Sequence, residues 1–253
     1  MIRICLSLIP LLVFLVVFCY KKIKVNNIIH LILCGVISVC LSLVLVQLFT
    51  KILSLLSFLG NYGIVFSKLI YYLIIVGLVE ELARYIAIKI SKPKTKNQIF
   101  INLLWISLIF IVIENYGYIG VANNPLKLGV YRSLSPNHMF FAVIMSYFLC
   151  LSMEKKKEKS GLNVFEILAL IVPIVFHGLF DYGLDIFGIN TNNINFILIS
   201  IFVFLGYVIP MLLVFKLKSE EVKEVGFNRI INIIELILIF VFMLFILFTF
   251  GVI

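Results

Sequence analysis

Eight stretches of this sequence are apolar for about twenty residues each, and that repetition constrains the fold more than any other feature. The hydrocarbon core of a bilayer is about 30 Å thick and takes about twenty helical residues to cross. Runs of that length, separated by short polar segments, predict an all-α fold: a polytopic membrane helical bundle of about eight transmembrane helices. The runs are roughly 2–20, 28–50, 69–90, 98–121, 136–153, 162–187, 194–215 and 230–250. Segment 51–68 is also apolar but carries Ser54, Ser57, Asn61 and two glycines. Thr50, Ser54, Ser57 and Asn61 recur at helical spacing there, which predicts an amphipathic helix lying at the membrane interface. With 63% hydrophobic residues and a mean hydropathy of +1.21, the 253 residues leave no room for a soluble domain. A single integral membrane domain over 1–253 is expected, with the chemistry concentrated at about 69–187.

The net charge of +9 invites a nucleic-acid reading, but topology accounts for it better. Fifteen basic residues fall in one set of loops: Lys21, Lys22 and Lys24; Lys89, Lys92, Lys94 and Lys96; Lys155, Lys156, Lys157 and Lys159; Lys216, Lys218, Lys223 and Arg229. The other set holds five: Arg3, Lys51, Lys68, Lys127 and Arg132. The positive-inside rule places the first set in the cytoplasm and both termini outside. No nucleic-acid partner is expected. Cys5, Cys19, Cys34, Cys40 and Cys150 all lie in apolar runs without C-x-x-C spacing, so they read as small buried hydrophobes. The first run resembles a signal peptide but ends in Cys19-Tyr20-Lys21-Lys22, without the small residues cleavage requires, and is expected to remain a helix.

Against this apolar background the segment Glu80-Glu81-Leu82-Ala83-Arg84 stands out, inside the third span. Ionised groups at that depth cost at least ~2.5–3.5 kcal/mol each, so they must face a protein interior with partners. Arg84 lies one helical turn from both acids. A structural ion pair needs only one carboxylate, so the second points to a functional site; a structural polar knot is the competing reading. Other intramembrane polar groups follow. Glu114 and Asn115, with Tyr118 one turn on, come late in span four, where they could serve as interhelical glue. His138 opens span five. His177 and Asp181 share a helix face late in span six, where a carboxylate can orient an imidazole. With the topology above, all of these gather between the midplane and the outer face. Glu166 and Glu235 fall near the opposite, cytoplasmic ends of their spans and Asp185 near the outer interface, while His30 reads as structural. Pro173 and Pro210 are expected to kink their helices. No G-x-S-x-G, intramembrane G-x-G-D or H-E-x-x-H occurs. The chemistry these groups support is hydrolysis by an activated water, with a carboxylate accepting the proton and His or Asn stabilising the oxyanion. A proton-coupled transporter, or a non-catalytic immunity-type membrane protein, would use similar groups. No internal repeat or pair of matching broken helices supports transport.

Glu80-Glu81-x-x-Arg84, Phe110-x-x-x-Glu114-Asn115, an isolated His138 and His177-x-x-x-Asp181 together resemble the four motifs of PrsW-type intramembrane proteases, related to the CAAX prenyl endopeptidases and bacteriocin-processing proteases. In the CAAX branch the basic residue stands one place later and histidine replaces Glu114, so the PrsW branch fits better. One departure is Arg84, where PrsW relatives commonly carry lysine. The resemblance covers 80–181. It implies site-1 cleavage of a single-pass membrane protein, as in release of an anti-sigma factor, at a site reached from the outer side of the cell membrane. It implies Glu80, Glu81, Glu114, His138, His177 and Asp181 as catalytic residues, supported by Arg84, Asn115 and Tyr118. Glu80 would be the base, Glu81 its support, and Asp181 the group that orients His177. His138 and Asn115 would complete the oxyanion site, with Glu114 holding a histidine. The cofactor is either none or one Zn²⁺. If zinc is present, His138, His177 and a glutamate (Glu80 or Glu114) would be its ligands. The paired Glu80 and Glu81 offer a ready base, which favours the metal-free form.

The charge asymmetry makes a testable statement. A single cysteine at position 156 should resist a membrane-impermeant thiol reagent added to intact cells. Ready labelling from outside would invert the topology and move the site to the cytoplasmic half.

Overall fold

A computed structural model describes residues 2–20, 27–55, 64–134, 137–156 and 164–187, with the single positions 208 and 212. All the secondary structure among these residues is helical. In order the helices are α1 (Ile2–Tyr20), α2 (Ile28–Leu55), α3 (Ile64–Tyr71), a π-helical segment (Tyr72–Leu78), α4 (Val79–Ser91), α5 (Lys96–Val121), α6 (Pro125–Leu134), α7 (Asn137–Lys156) and α8 (Val164–Phe187).

Four of these are long and apolar enough to cross a membrane: Ile28–Ser54, Lys96–Val121, Asn137–Glu154 and Val164–Gly183. The expected eight spans are therefore not matched among the described residues. The seventh and eighth, with Pro210 and Glu235, lie outside them apart from the two isolated positions. The third is helical throughout but is not a simple apolar rod, because the π segment and four charged residues interrupt it. The separate helix expected over 51–68 is also corrected. Its first residues extend α2 to Leu55 and its last open α3, while 56–63 lie outside the described residues. Ser54 needs no aqueous interface there, since its hydroxyl donates to the Lys51 carbonyl at 2.7 Å. The short α6, read as loop from the sequence, is a further addition.

Local chemistry explains the element boundaries. Lys92 ends α4 in the left-handed conformation (φ 48°, ψ 57°), and Pro93 prevents continuation. Thr95 then caps α5, its hydroxyl oxygen accepting from the Gln98 amide at 3.2 Å. The Asn124-Pro125 pair opens α6 in the same manner, with proline at the first helical position. Both Pro10 and Pro173 are accommodated inside their helices.

The spans are buried to very different degrees. Within their apolar windows α5 and α7 are 67% and 72% buried, against 28% for α2 and 33% for α8. A helix apolar on all sides belongs in the interior, and α5 has buried residues all round from Ile99 to Leu108. The centre of the bundle is therefore α5 against α7, with α8 on the far side of α7 and α2 against α4 and α5. The cysteines divide accordingly: Cys34 and Cys150 are buried as expected, whereas Cys5 and Cys40 sit on the outer surface of the bundle.

The π segment and α8 approach one another backbone to backbone. A Cβ on Gly77 would stand 2.5 Å from the Ile174 carbonyl oxygen, and one on Gly178 would stand 2.8 Å from Leu73 Cα. Small residues allow membrane helices to meet backbone to backbone. Here that contact sets His177 beside Glu80 and Glu81. Gly77→Ala should force the helices apart, at an overpacking cost of about 1–3 kcal/mol. Gly117, with nothing within 4 Å of its would-be Cβ, should accept alanine without loss. Melting temperatures of the two purified variants check this; equal behaviour would contradict the close approach.

Candidate active site

Four helices each bring one motif to a single region. Glu80, Glu81 and Arg84 stand on the first turns of α4, directly after the π segment. Such segments recur at functional sites because the wide turn re-aims the side chains that follow. Glu114 and Asn115 come from late α5, His138 from the first turn of α7, and His177 and Asp181 from late α8.

The foundation is an ion pair between Glu81 and Arg84, both fully buried. Arg84 distributes its donors across the bundle: Nη2 to Glu81 Oε1, Nη1 to the His138 carbonyl on α7 at 3.0 Å, and Nε toward the Glu80 carbonyl at 3.4 Å. Its guanidinium carbon lies 5.4 Å from the centre of the Phe110 ring, the aromatic that opens the second motif. Lysine offers a point charge where arginine offers a planar fork, so the arginine of the first motif has a use here.

The two histidines are each fixed from behind by a carboxylate. His177 Nδ1 lies 2.8 Å from Glu81 Oε1, and His138 Nε2 lies 2.5 Å from Glu114 Oε2. An N–H on His138 Nε2 leaves His138 Nδ1 as an acceptor directed inward, and His177 turns its Nε2 toward the same gap. Glu80 Oε2 stands between them, 3.7 Å from His138 Nδ1 and 3.8 Å from His177 Nε2. Those separations are too long for direct hydrogen bonds. Accordingly Glu80 Oε2 and His138 Nδ1 are buried without a hydrogen-bond partner. Asp181 Oδ2 approaches His177 Nε2 at 3.3 Å from the open side. The Phe141 ring stacks on His177 with centroids 4.6 Å apart, holding its plane.

A cavity of about 360 Å³ opens in front of this group. Glu80, Glu114, Asn115, His138, His177 and Asp181 line it. Glu81 and Arg84 do not; they form the buried wall behind. Tyr118 contributes at the rim, its ring 4.3 Å from the Arg132 guanidinium carbon. Asp185 also reaches the rim and pairs with Lys68 at 2.7 Å. At the opposite end of the bundle Glu166 is buried against Tyr85 and Lys89.

Arg132 on α6 is the residue that sequence reasoning missed. Its Nε donates to Asn115 Oδ1 at 2.7 Å, and its Nη2 pairs with Glu114 Oε1 at 2.9 Å. It thus fixes which way the Asn115 amide points and leaves Asn115 Nδ2 buried with no partner. The Asn124-Pro125 helix start was a legible signal for α6. Nothing in sequence spacing, however, ties position 132 to positions 114 and 115.

Comparison with known proteins identifies the family. Residues 25–213 match the model of the PrsW family, described as "PrsW family intramembrane metalloprotease". The chain is 31% identical over 169 residues to Protease PrsW of Clostridioides difficile (strain 630), covering 62% of this chain and 68% of that protein. No solved structure matches. The chain belongs to the PrsW family of intramembrane proteases.

The wall and the cavity should respond differently to mutation. Glu81→Ala leaves the Arg84 charge buried and unpaired, which typically costs about 3–5 kcal/mol. Glu80→Gln, at the cavity surface, should melt close to wild type. Thermal denaturation of the purified pair distinguishes them, and equal losses would contradict the division.

Proposed function

We propose that the protein hydrolyses a peptide bond in a single-pass membrane protein, the first cut in releasing a factor such as an anti-sigma protein, from the outer half of the bilayer. The observation that carries this reading is the convergence of Glu80 Oε2, His138 Nδ1 and His177 Nε2, all within 4.8 Å of one another. These atoms face one gap, and two of them, Glu80 Oε2 and His138 Nδ1, are acceptors without a partner that a proton donor or a cation would satisfy.

The gap fits both a water molecule and a metal ion. Two imidazoles and a carboxylate make a known catalytic zinc set, and two tetrahedral zinc ligands lie about 3.4 Å apart. The carboxylates behind both histidines are the outer support such ligands ordinarily have. Zinc held by Glu80, His138 and His177 would make its water acidic and polarise the scissile carbonyl. This reading differs from the metal-free preference drawn from the paired glutamates, because Glu81 is committed to Arg84 and His177 and cannot share the work of a base.

The residues of the chain have separate tasks. A water oxygen attacks the carbonyl carbon and gives its proton to a carboxylate lining the cavity. That carboxylate is Asp181 when Glu80 is a ligand, and Glu80 itself when water alone fills the gap. The unspent Asn115 Nδ2 donor, aimed by Arg132, stabilises the developing oxyanion. The C–N bond then breaks, and the leaving amine takes the proton back from the carboxylate. Phe141 and Phe110 pack against the histidine rings and keep them in register.

Removing an acid–base group typically costs ~10²–10⁴ in rate. Glu80→Gln should lose at least that much cleavage of a single-pass membrane substrate while remaining folded. With zinc in place, Asp181→Asn should lose a comparable factor, metal analysis should give about one zinc per chain, and chelation should abolish cleavage. Full activity after exhaustive chelation, with Asp181→Asn only mildly impaired, would establish the water-only form. A stable Glu80→Gln protein retaining more than a tenth of wild-type activity would overturn both.

A further inference from the structure

A second cavity lies at the other end of the bundle. Lys92 follows Glu80 by twelve residues on α4 and its cap, roughly 18 Å at 1.5 Å per residue. There a polar cavity of about 270 Å³ opens between the start of α2 and the α4–α5 connection. His30, Ser91, Lys92, Lys94, Gln98 and Asn102 are among its lining residues, and none of the lining residues is acidic.

The charges here differ from those nearby in having no acidic partner among the described residues. Lys89 and Lys96 flank the same connection and pair with Glu166 and Glu154. Lys92 and Lys94 take part in none of the ion pairs among the described residues. Lys92, which caps the end of α4, and Asn27, which precedes α2, both line this cavity.

An apolar groove adjoins the polar cavity and shares Asn27 and His30 with it. This groove, of about 540 Å³, runs over Ile28, Ile29 and Leu33 on the outer face of α2, where Ile29 is 73% exposed. A cationic, hydrogen-bonding cavity continuous with an apolar groove on a membrane-crossing helix has the two halves of an amphiphile's binding site. We propose that this site holds an anionic phospholipid, its phosphate between Lys92 and Lys94 and an acyl chain along Ile28, Ile29 and Leu33. Basic pockets between membrane helices bind anionic headgroups in this manner. The site is independent of the hydrolytic centre, and neither lysine belongs to it.

The test uses the full chain in phosphatidylcholine nanodiscs, titrated with fluorescent phosphatidylglycerol. Each lysine should contribute about fivefold in affinity. Lys92→Gln/Lys94→Gln together should therefore weaken binding more than tenfold, while Lys51→Gln, at the far end of α2, should not weaken it. If the double variant fails to fold, Lys94→Gln alone should show the fivefold loss. Ile29→Asn should weaken phosphatidylglycerol as well, because the groove carries part of the affinity. Unchanged binding in the lysine variants would overturn the site. Displacement of the lipid by millimolar inorganic phosphate, with Ile29→Asn behaving as wild type, would overturn the lipid assignment in favour of a free anion.

Discussion

Everything at the candidate site leans on the buried Arg84–Glu81 pair. Taking two charges out of water costs several kcal/mol per ion even after relaxation, and their attraction offsets this only when the remaining donors and acceptors are satisfied. Arg84 meets that condition by reaching α7 through the His138 carbonyl, while its partner Glu81 reaches α8 through His177. One residue pair on α4 thereby fixes the positions of both histidines. The pair has no direct access to the cavity, and its contribution is to keep three helices in a single relative arrangement.

Around that pair the site is built in two layers of opposite character. The rear layer, Glu81 and Arg84, is held by internal partners, although Glu81 Oε2 is itself buried without one. The front layer, Glu80 Oε2, His138 Nδ1 and Asn115 Nδ2, consists of buried polar atoms with none. An unpartnered buried polar atom is expensive, and several of them facing one cavity are hard to explain as a structural feature. Arg132 belongs to the rear layer in function, although it comes from a helix outside the four motifs. Its two contacts set the direction of the Asn115 amide and bind the Glu114 oxygen that His138 leaves free.

The two ends of the bundle are specialised differently. At one end the carboxylates and histidines of four helices are brought together by the close passage of Gly77 and Gly178. At the other, lysines either pair with Glu154 and Glu166 or face a cavity that opens onto the lipid-facing side of α2.

The sequence by itself determined the helical membrane class and the composition of the site. Apolar runs of bilayer length and charged residues within them are local properties, and a bilayer leaves few structures open to such a chain. The i, i+4 spacing of His177 and Asp181 and the i, i+3 spacing of Glu81 and Arg84 were equally legible, because they depend only on helical geometry. Spacing could not separate Glu80 from Glu81. Adjacent residues point about 100° apart, and which direction is the cavity depends on where α7 and α8 lie. Nor could it bring Arg132 to Asn115 or make Gly77 and Gly178 touch, since those contacts join segments whose relation is set by side-chain packing over the whole bundle. The span count read from apolarity is not confirmed among the described residues, in part for a related reason. In the third span, polar residues and a π segment are sustained by neighbouring helices, so its character was decided by tertiary contacts that hydropathy does not register.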